Sequence, residues 1–484
     1  MNSCFMRPGH QPCSLLAAVF LGVLPLVGQP ATESATLFRN YCAPCHGQQM
    51  EGGNAQSLID AVWQFGSKKS HIFRNIKYGI ADFAMPAFDA ALSDGQINDL
   101  IDYIFSQEKA SGATKPHPPE RIFTLDYEVR IEVLAQDLDI PWGIAFTRPE
   151  QAFVTERSGA IRQLLAGQLL PDPVEGTPPV LHEGQGGLLD IAVDPEFEEN
   201  QWIYLAYSHP LPSLSDERRA SAMTRIVRGR IRNNRWGDQQ IVFEAPSETY
   251  QPTRHHYGSR IVFDAQHRLY FSVGDRGLSH QAQDLGQPNG KIHRLHRDGT
   301  IPVENPFLTR FNALPSIYSY GHRNPQGLAV HPSTGMIWES EHGPMGGDEL
   351  NQLARGANFG WPEITYGRNY DGATVSDLTH QPGMEQPRLY WKPSIAVCGI
   401  AFVSESSFTR WNDHLLVGAL KYEELRLLAI AEGRVVHQEI LLKNSGRIRD
   451  VANGPDGAIY VITNGPGMIL KLTPIRDLNG NPNE

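Results

Sequence analysis

The sequence predicts an all-β six-bladed propeller preceded by a small all-α unit. Three observations carry the prediction: a loose strand-turn-strand repeat fills most of the chain, helical periodicity fills the segment before it, and the texture changes abruptly between the two. At 484 residues, 40% hydrophobic and 20% charged, the chain holds apolar material for more than one core.

The elements follow in chain order. Residues 1–29 carry Arg7 in a polar start, the apolar run LLAAVFLGVLPLVG and then small residues, which is the grammar of a signal peptide. That run is short for a bilayer span and no later stretch is long and apolar enough, so a soluble protein, periplasmic or secreted, is expected. In residues 30–108 the stretches SATLFRNYCAPCHG and LSDGQINDLIDYIFSQ have helical spacing, with Ser93 or Asp94 as an N-cap. Residues 109–121 fall in a run where charge, Gly and Pro replace periodic apolar residues, as in a partly stiffened linker.

From residue 122 to 484 short Val-, Ile-, Tyr- and Phe-rich runs alternate with turn residues. The recurring copies begin WGIAFTRPEQ, GLLDIAVDPE, SRIVFDAQHR, QGLAVHPSTG, CGIAFVSESS and IRDVANGPDG. Spread over the second unit they leave roughly 60 residues each, room for a four-stranded blade. A sandwich needs no such radial repetition, whereas a propeller uses it to cover strand edges.

Composition also excludes. A formal net charge of −11 argues against a nucleic-acid surface, which needs clustered positive charge. Of five cysteines, Cys4 and Cys13 would leave with the signal and Cys398 is solitary, expected as a buried inert thiol, so no disulfide framework is available.

The remaining two stand in Cys42-Ala43-Pro44-Cys45-His46. Thiols one helical turn apart can both add to the vinyl groups of one haem while the next histidine ligates iron. Zinc or thiol redox chemistry is the alternative, but zinc lacks a second Cys pair. The first unit therefore reads as a cytochrome c domain, with Cys42 and Cys45 attaching haem c and His46 as one axial ligand. Its AMPAF stretch resembles the M-P-x-F loop of class I cytochromes c, which implies Met85 as the second ligand. His71 is the competing ligand.

Unusual polar residues collect at the ends of the repeats: Gln185, His255, His256, Asp275, Arg323, Asn324, Lys421, Arg447 and Arg449. Strand-end loops of successive blades converge on one mouth, and cationic ends in an acidic chain imply an anionic ligand.

From Ile122 to Pro474, the motifs GQGGLLD, HYGSR, GHRNPQGLAVHP, SEHGP, NFGWP and R-x-R-D-V occur in one order. In them the chain resembles the pyrroloquinoline quinone (PQQ)-dependent aldose sugar dehydrogenases, relatives of the soluble quinoprotein glucose dehydrogenase. The resemblance implies that PQQ is held by Gln185, Arg323, Asn324, Lys421, Arg447 and Arg449. It further implies that His256 is the general base, that Asp275 orients it, and that Arg323 and Asn324 face the quinone oxygens where charge develops. Calcium is implied at the backbone carbonyls of Gly343 and Pro344, and a second calcium at Glu349 with the backbone near Phe359. Soluble glucose dehydrogenase has an acidic residue where this chain has His255, so glucose itself is not implied as substrate.

The expected activity is oxidation of an aldose at C1 to a lactone, with electrons leaving through haem c to an external acceptor such as a soluble cytochrome. Two other readings stay open. One is a calcium-dependent propeller lactonase or hydrolase, which would not need Lys421, Arg447 and Arg449. The other is a glycan-binding propeller fused to an electron-carrier cytochrome.

Overall fold

The computed structural model describes residues 33–80, 85–211 and 220–477; the expected signal peptide lies outside the described residues. The first unit is helical. Glu33–Leu37, the π-turn Phe38–Cys42 and Ala43–His46 run on from one another, followed by Lys69–Tyr78 and Asp94–Ser111. Ser93 caps the last helix in a reciprocal box: its hydroxyl accepts from the Gln96 amide at 3.3 Å, and Gln96 Oε1 accepts from the Ser93 amide at 3.0 Å. This helix runs on to Ser111, beyond the expected end of the unit at 108, because nothing before Gly112 stops it. Gly112 adopts φ 70°, the left-handed cap that Gly takes without Cβ strain. Ile97, Leu100, Ile101 and Ile104 share one face of the helix and bury against Phe38, Ile72 and Ile76.

The rest forms six antiparallel sheets. Blade one is Pro141–Arg148, Gln151–Glu156, Ile161–Leu165 and Gln168–Leu169; blade two is Leu188–Val193, Ile203–Leu211, Ser221–Arg232 and Arg235–Phe243. Blade three is Ile261–Phe263, Leu269–Val273, Lys291–Leu295 and Ile317–Tyr320; blade four is Pro325–Val330, Ile337–Glu341, Asp348–Gln352 and Leu389–Trp391. Blade five is Val397–Phe402, Leu415–Ala419, Glu424–Ala431 and Arg434–Lys443. Blade six joins Arg447–Asn453, Ile459–Asn464 and Met468–Asp477 to the earlier strands Tyr127–Ala135 and Arg121–Phe123. Tyr127–Ala135 pairs antiparallel with Met468–Asp477, so the start of the propeller closes its end and the ring has no open seam.

Each sequence repeat is the first two strands of one blade. The apolar cores sit between blades, as where Phe153, Ile161, Leu188 and Leu205 join blades one and two. Inner strands of neighbouring blades share no ladder, so buried carboxylates take their orphan amides. Asp190 Oδ2 accepts from the Ile261 amide at 2.7 Å and Asp450 Oδ2 from the Ile144 amide at 3.1 Å. Arg260 Nη1 spans both carboxylates at 2.9 Å each. Among the described residues no helix is long and apolar enough to cross a membrane.

Candidate active site

Strand direction decides which residues meet. The six inner strands run the same way about the axis, so their N-terminal ends share one mouth; the second strands run back and end there. Gln185, His256, Arg323, Asn324 and Arg447 lie at or just before inner-strand starts, and Arg449 stands two residues inside one. Asp275, Gly343, Pro344 and Lys421 follow second strands. All the expected propeller-site residues except Glu349 and Phe359 thus belong to this mouth.

Its centre is His256. The backbone there has φ 54°, a left-handed conformation that costs a residue bearing a Cβ about 1–2 kcal/mol, and Gln185 Oε1 steadies it by accepting from the His256 amide at 3.0 Å. Nδ1 lies 2.6 Å from Asp275 Oδ1. Asp275 also accepts from the Gly277 amide at 2.8 Å and, on Oδ2, from the Trp361 indole at 2.8 Å. Burial works against its charge, but His256, Arg323 and the Gly277 amide hold the Asp275 carboxyl down at about 2. It is therefore an acceptor, which assigns the imidazole proton to Nδ1 and leaves Nε2 with its lone pair. Burial, with Arg323 nearby, brings His256 down to about 4, the Asp275 charge opposing. The His256 side chain is 12% exposed and that of Asp275 2%, so the imidazole reaches the mouth and its partner does not.

Arg323 crosses the face of Trp361 at 5.3 Å, and its Nη1 donates to the carbonyls of His342 at 3.1 Å and Gly343 at 2.9 Å. Its own amide donates to Glu341 Oε2 at 2.5 Å. Asn324 Oδ1 accepts from the Gly258 amide at 3.1 Å, tying blade four to the turn after His256. Arg449 donates to Gln326 Oε1 at 2.9 Å and Cys398 Sγ at 3.2 Å. Cys398 is buried, as expected. Lys421 is exposed, with its ammonium 5.4 Å from the Tyr422 ring.

The site holds more donors than the protein satisfies. Nε of Arg323, Arg447 and Arg449 and Nε2 of His342 are buried without a hydrogen-bond partner. After burial, the Arg449, Arg323 and Arg447 guanidinium groups all depress the His342 imidazole, so three cations bear on one point of the mouth. Leaving the three guanidinium donors unpaired is costly, and an anion with several carboxylates fits them. PQQ is such a group. For calcium the fit is narrower: Gly343 O already accepts from Arg323 and Pro344 O from Ser394 Oγ at 3.1 Å, so each carbonyl has one lone pair left.

A second oxygen-rich set lies beside Arg323. His322, Glu339 and Glu341 bring ligand atoms within 4.8 Å of one another, all buried. Asn351 Nδ2 is shared by Glu339 Oε2 at 3.0 Å, Glu341 Oε1 at 3.3 Å and Glu349 Oε2 at 3.3 Å. Burial, then the Glu341 charge, pushes Glu339 and Glu349 well above the carboxylate range. Glu349 is thus one member of a larger set suited to a hard cation, and the Phe359 ring stacks on His322 at 4.7 Å.

In the helical unit His46 Nδ1 lies 2.7 Å from the Gln56 carbonyl, which fixes a tautomer with Nε2 free to ligate. Met85 and Cys42 border the same apolar cluster. Burial, then Cys45, pushes the Cys42 thiol up to about 12, unlike a redox-active thiolate. His71 turns to the propeller: its Nδ1 is 3.6 Å from Asp139 and its ring meets that of His182 edge-on at 5.1 Å. That face docks at the mouth, since Lys68 pairs with Asp139 at 2.7 Å and Arg74 donates to the His182 carbonyl.

Residues 138–471 match the family described as glucose/sorbosone dehydrogenase. The chain belongs to that family. Residues 29–104 match the family described as cytochrome c oxidase, cbb3-type, subunit III, so this glucose/sorbosone dehydrogenase carries an N-terminal cytochrome c domain. It is 38% identical over 353 residues to aldose sugar dehydrogenase YliI of Escherichia coli, covering 72% of this chain and 93% of that protein. The apo-form crystal structure of the soluble aldose sugar dehydrogenase from Escherichia coli superposes with a TM-score of 0.66 at 36% identity, covering 72% of this chain and 99% of the other. The PQQ-bound aldose sugar dehydrogenase of Streptomyces coelicolor gives 0.56 at 26% identity, covering 74% and 100%.

Sequence reasoning missed Trp361, Glu341, His342, His322 and Glu339. Trp361 stood within NFGWP, His322 within GHRNPQGLAVHP and Glu341 and His342 within SEHGP without roles of their own, and Glu339 lies in an alternating W-E-S-E that reads as an ordinary strand.

Proposed function

We propose that this family member is an exported quinohaemoprotein dehydrogenase that oxidises aldose sugars at C1 to lactones. The observation that carries the reading is the His256–Asp275 pair set beside buried cationic donors that lack protein acceptors. When bound, PQQ would supply a quinone able to accept hydride, calcium a Lewis acid, and haem c a one-electron carrier.

The chain's own residues do the rest. His256 Nε2 accepts the proton of the anomeric hydroxyl, and Asp275 stabilises the imidazolium through Nδ1–H. With its pKa at about 4 the imidazole is neutral near pH 7. After burial, Arg323 is the charge that lowers it, so an anionic ligand that neutralises Arg323 strengthens the base when the site is loaded. Arg447, Arg449 and Lys421 serve cofactor carboxylates, Gln185 contacts the cofactor and substrate region, and Arg323 with Asn324 faces the quinone oxygens. Gly343 and Pro344 offer carbonyls to calcium; Glu349, Glu339, Glu341 and His322 hold a second cation. Cys42, Cys45, His46 and Met85 would hold haem c, and an external redox protein would be the electron acceptor. Residues 1–29 direct export. His255, whose ring stands 4.4 Å from that of His256, separates the sugar contacts from those of the soluble glucose enzyme.

Reconstitution tests the reading. Apoprotein given PQQ and calcium should show haem reduction on adding aldoses without another acceptor. No response to any sugar refutes it.

A further inference from the structure

The strap of residues 181–187 joins the cytochrome domain to the catalytic base. At one end Arg74, on the helix Lys69–Tyr78, donates to the carbonyl of His182. Next along, Glu183 Oε2 accepts from Arg254 Nε at 2.5 Å. Gln185 then donates its amide to the Arg254 carbonyl at 2.7 Å and accepts from the His256 amide at 3.0 Å. Beneath the strap, buried Arg157 donates to the carbonyls of Gly184 and, from Nη2 at 2.8 Å, of Gly186. Leu181 is anchored on blade two, its amide donating to the Ser208 carbonyl at 2.9 Å.

Every carbonyl in this run that meets a guanidinium is held by blade one, except His182, which is held from the other domain. Arg74 is itself poised for that task. Burial lowers its pKa while Glu183 and Asp139 support its charge, so it sits desolvated between the two units rather than as a solvated surface residue. The strap ends on a base whose left-handed backbone needs an outside partner.

We propose that Arg74 is a positioning residue for sugar oxidation: by clamping the His182 carbonyl it keeps Gln185 on the His256 amide, so proton removal, and not only electron exit, depends on the docked cytochrome domain. This rests on the functional reading above. A small displacement of a catalytic group is enough to slow the chemical step while substrate binding stays.

The test uses the full-length holoprotein with a small dye that takes electrons from the sugar-oxidising site directly. Arg74→Ala should lower kcat about tenfold with little change in KM, and Arg74→Lys, which can still donate to a carbonyl, should recover most of the loss. Lys68→Ala removes the 2.7 Å ion pair to Asp139 without touching the strap and should leave dye turnover unchanged. A second readout needs no activity: in the apoprotein, Arg74→Ala should speed amide hydrogen exchange at residues 182–187 and His256, and leave blade five as it was. Unchanged exchange and turnover in Arg74→Ala overturn the proposal. So does an equal loss in Lys68→Ala, which would assign the effect to docking in general. If the reconstituted wild type reduces no dye with any aldose, the functional reading falls and the catalytic role of Arg74 with it, and hydrogen exchange then decides only whether Arg74 holds the strap.

Discussion

Replacing Asp275 with Asn tests the candidate base through the residue that holds it. Three donors converge on that carboxylate: His256 Nδ1 at 2.6 Å and the Gly277 amide at 2.8 Å on Oδ1, and the Trp361 indole at 2.8 Å on Oδ2. Asn has one oxygen. If that oxygen keeps the Oδ1 place, its NH2 group confronts the Trp361 N–H. If it takes the Oδ2 place, the NH2 group donates to Nδ1 and drives the imidazole proton onto Nε2, the atom that must accept. Either way the base is misheld, and since general-base catalysis contributes about 10²- to 10⁴-fold, kcat should fall by at least about 10²-fold, or ~2.7 kcal/mol of barrier. The pH profile adds a sign. His256 works neutral, so activity is lost as pH falls through its pKa, about 4 in the free protein. The Asp275 charge is what raises that value against burial and Arg323, so in Asp275→Asn the acid limb of kcat/KM should move to lower pH. The assay is steady-state dye reduction by protein loaded with PQQ and calcium, with loading checked by titration. A variant within about threefold of wild type, with the same acid limb, would refute the pairing as the source of the base.

Arg447→Met removes a guanidinium whose buried Nε has no partner, so apoprotein thermal stability should hold or rise, while PQQ affinity weakens about 10- to 100-fold in a binding titration. Replacing Cys42 and Cys45 together by Ala should spare dye reduction but abolish reduction of a protein acceptor; persistence of the latter would remove haem from the route. Glu339→Gln relieves repulsion in the buried carboxylate set, so it should raise the melting temperature of chelated protein and lower that of calcium-loaded protein, a reversal read by calorimetry. In wild type, chelation should remove activity before the propeller unfolds if the calcium proposed at Gly343 and Pro344 serves the site; full activity after exhaustive chelation would exclude it.

Local chemistry was legible where it is local. Cys42 to His46 states its ligand by spacing alone, Ser93 caps its helix with a partner three residues on, and each sequence repeat reports two adjacent strands because a hairpin pairs near neighbours. The mouth was legible through His256, Asp275, Arg323 and the two arginines of R-x-R-D-V, since strand ends announce themselves by polar residues flanking an apolar run. What the chain order could not convey is which distant ends touch. Trp361 reaches Asp275, Glu339 and Glu341 face His322 inside a strand that looks ordinary, Tyr127–Ala135 seals the ring against Met468–Asp477, and Arg74 clamps His182. The sequence by itself determined the blades, the haem motif and the stock of polar ends, because those depend on periodicity and spacing over a few residues. Only the tertiary structure decided the shared carboxylates, the unpartnered guanidinium donors and the docking of the cytochrome domain at the mouth. Those depend on how all six blades and their buried charges pack at once.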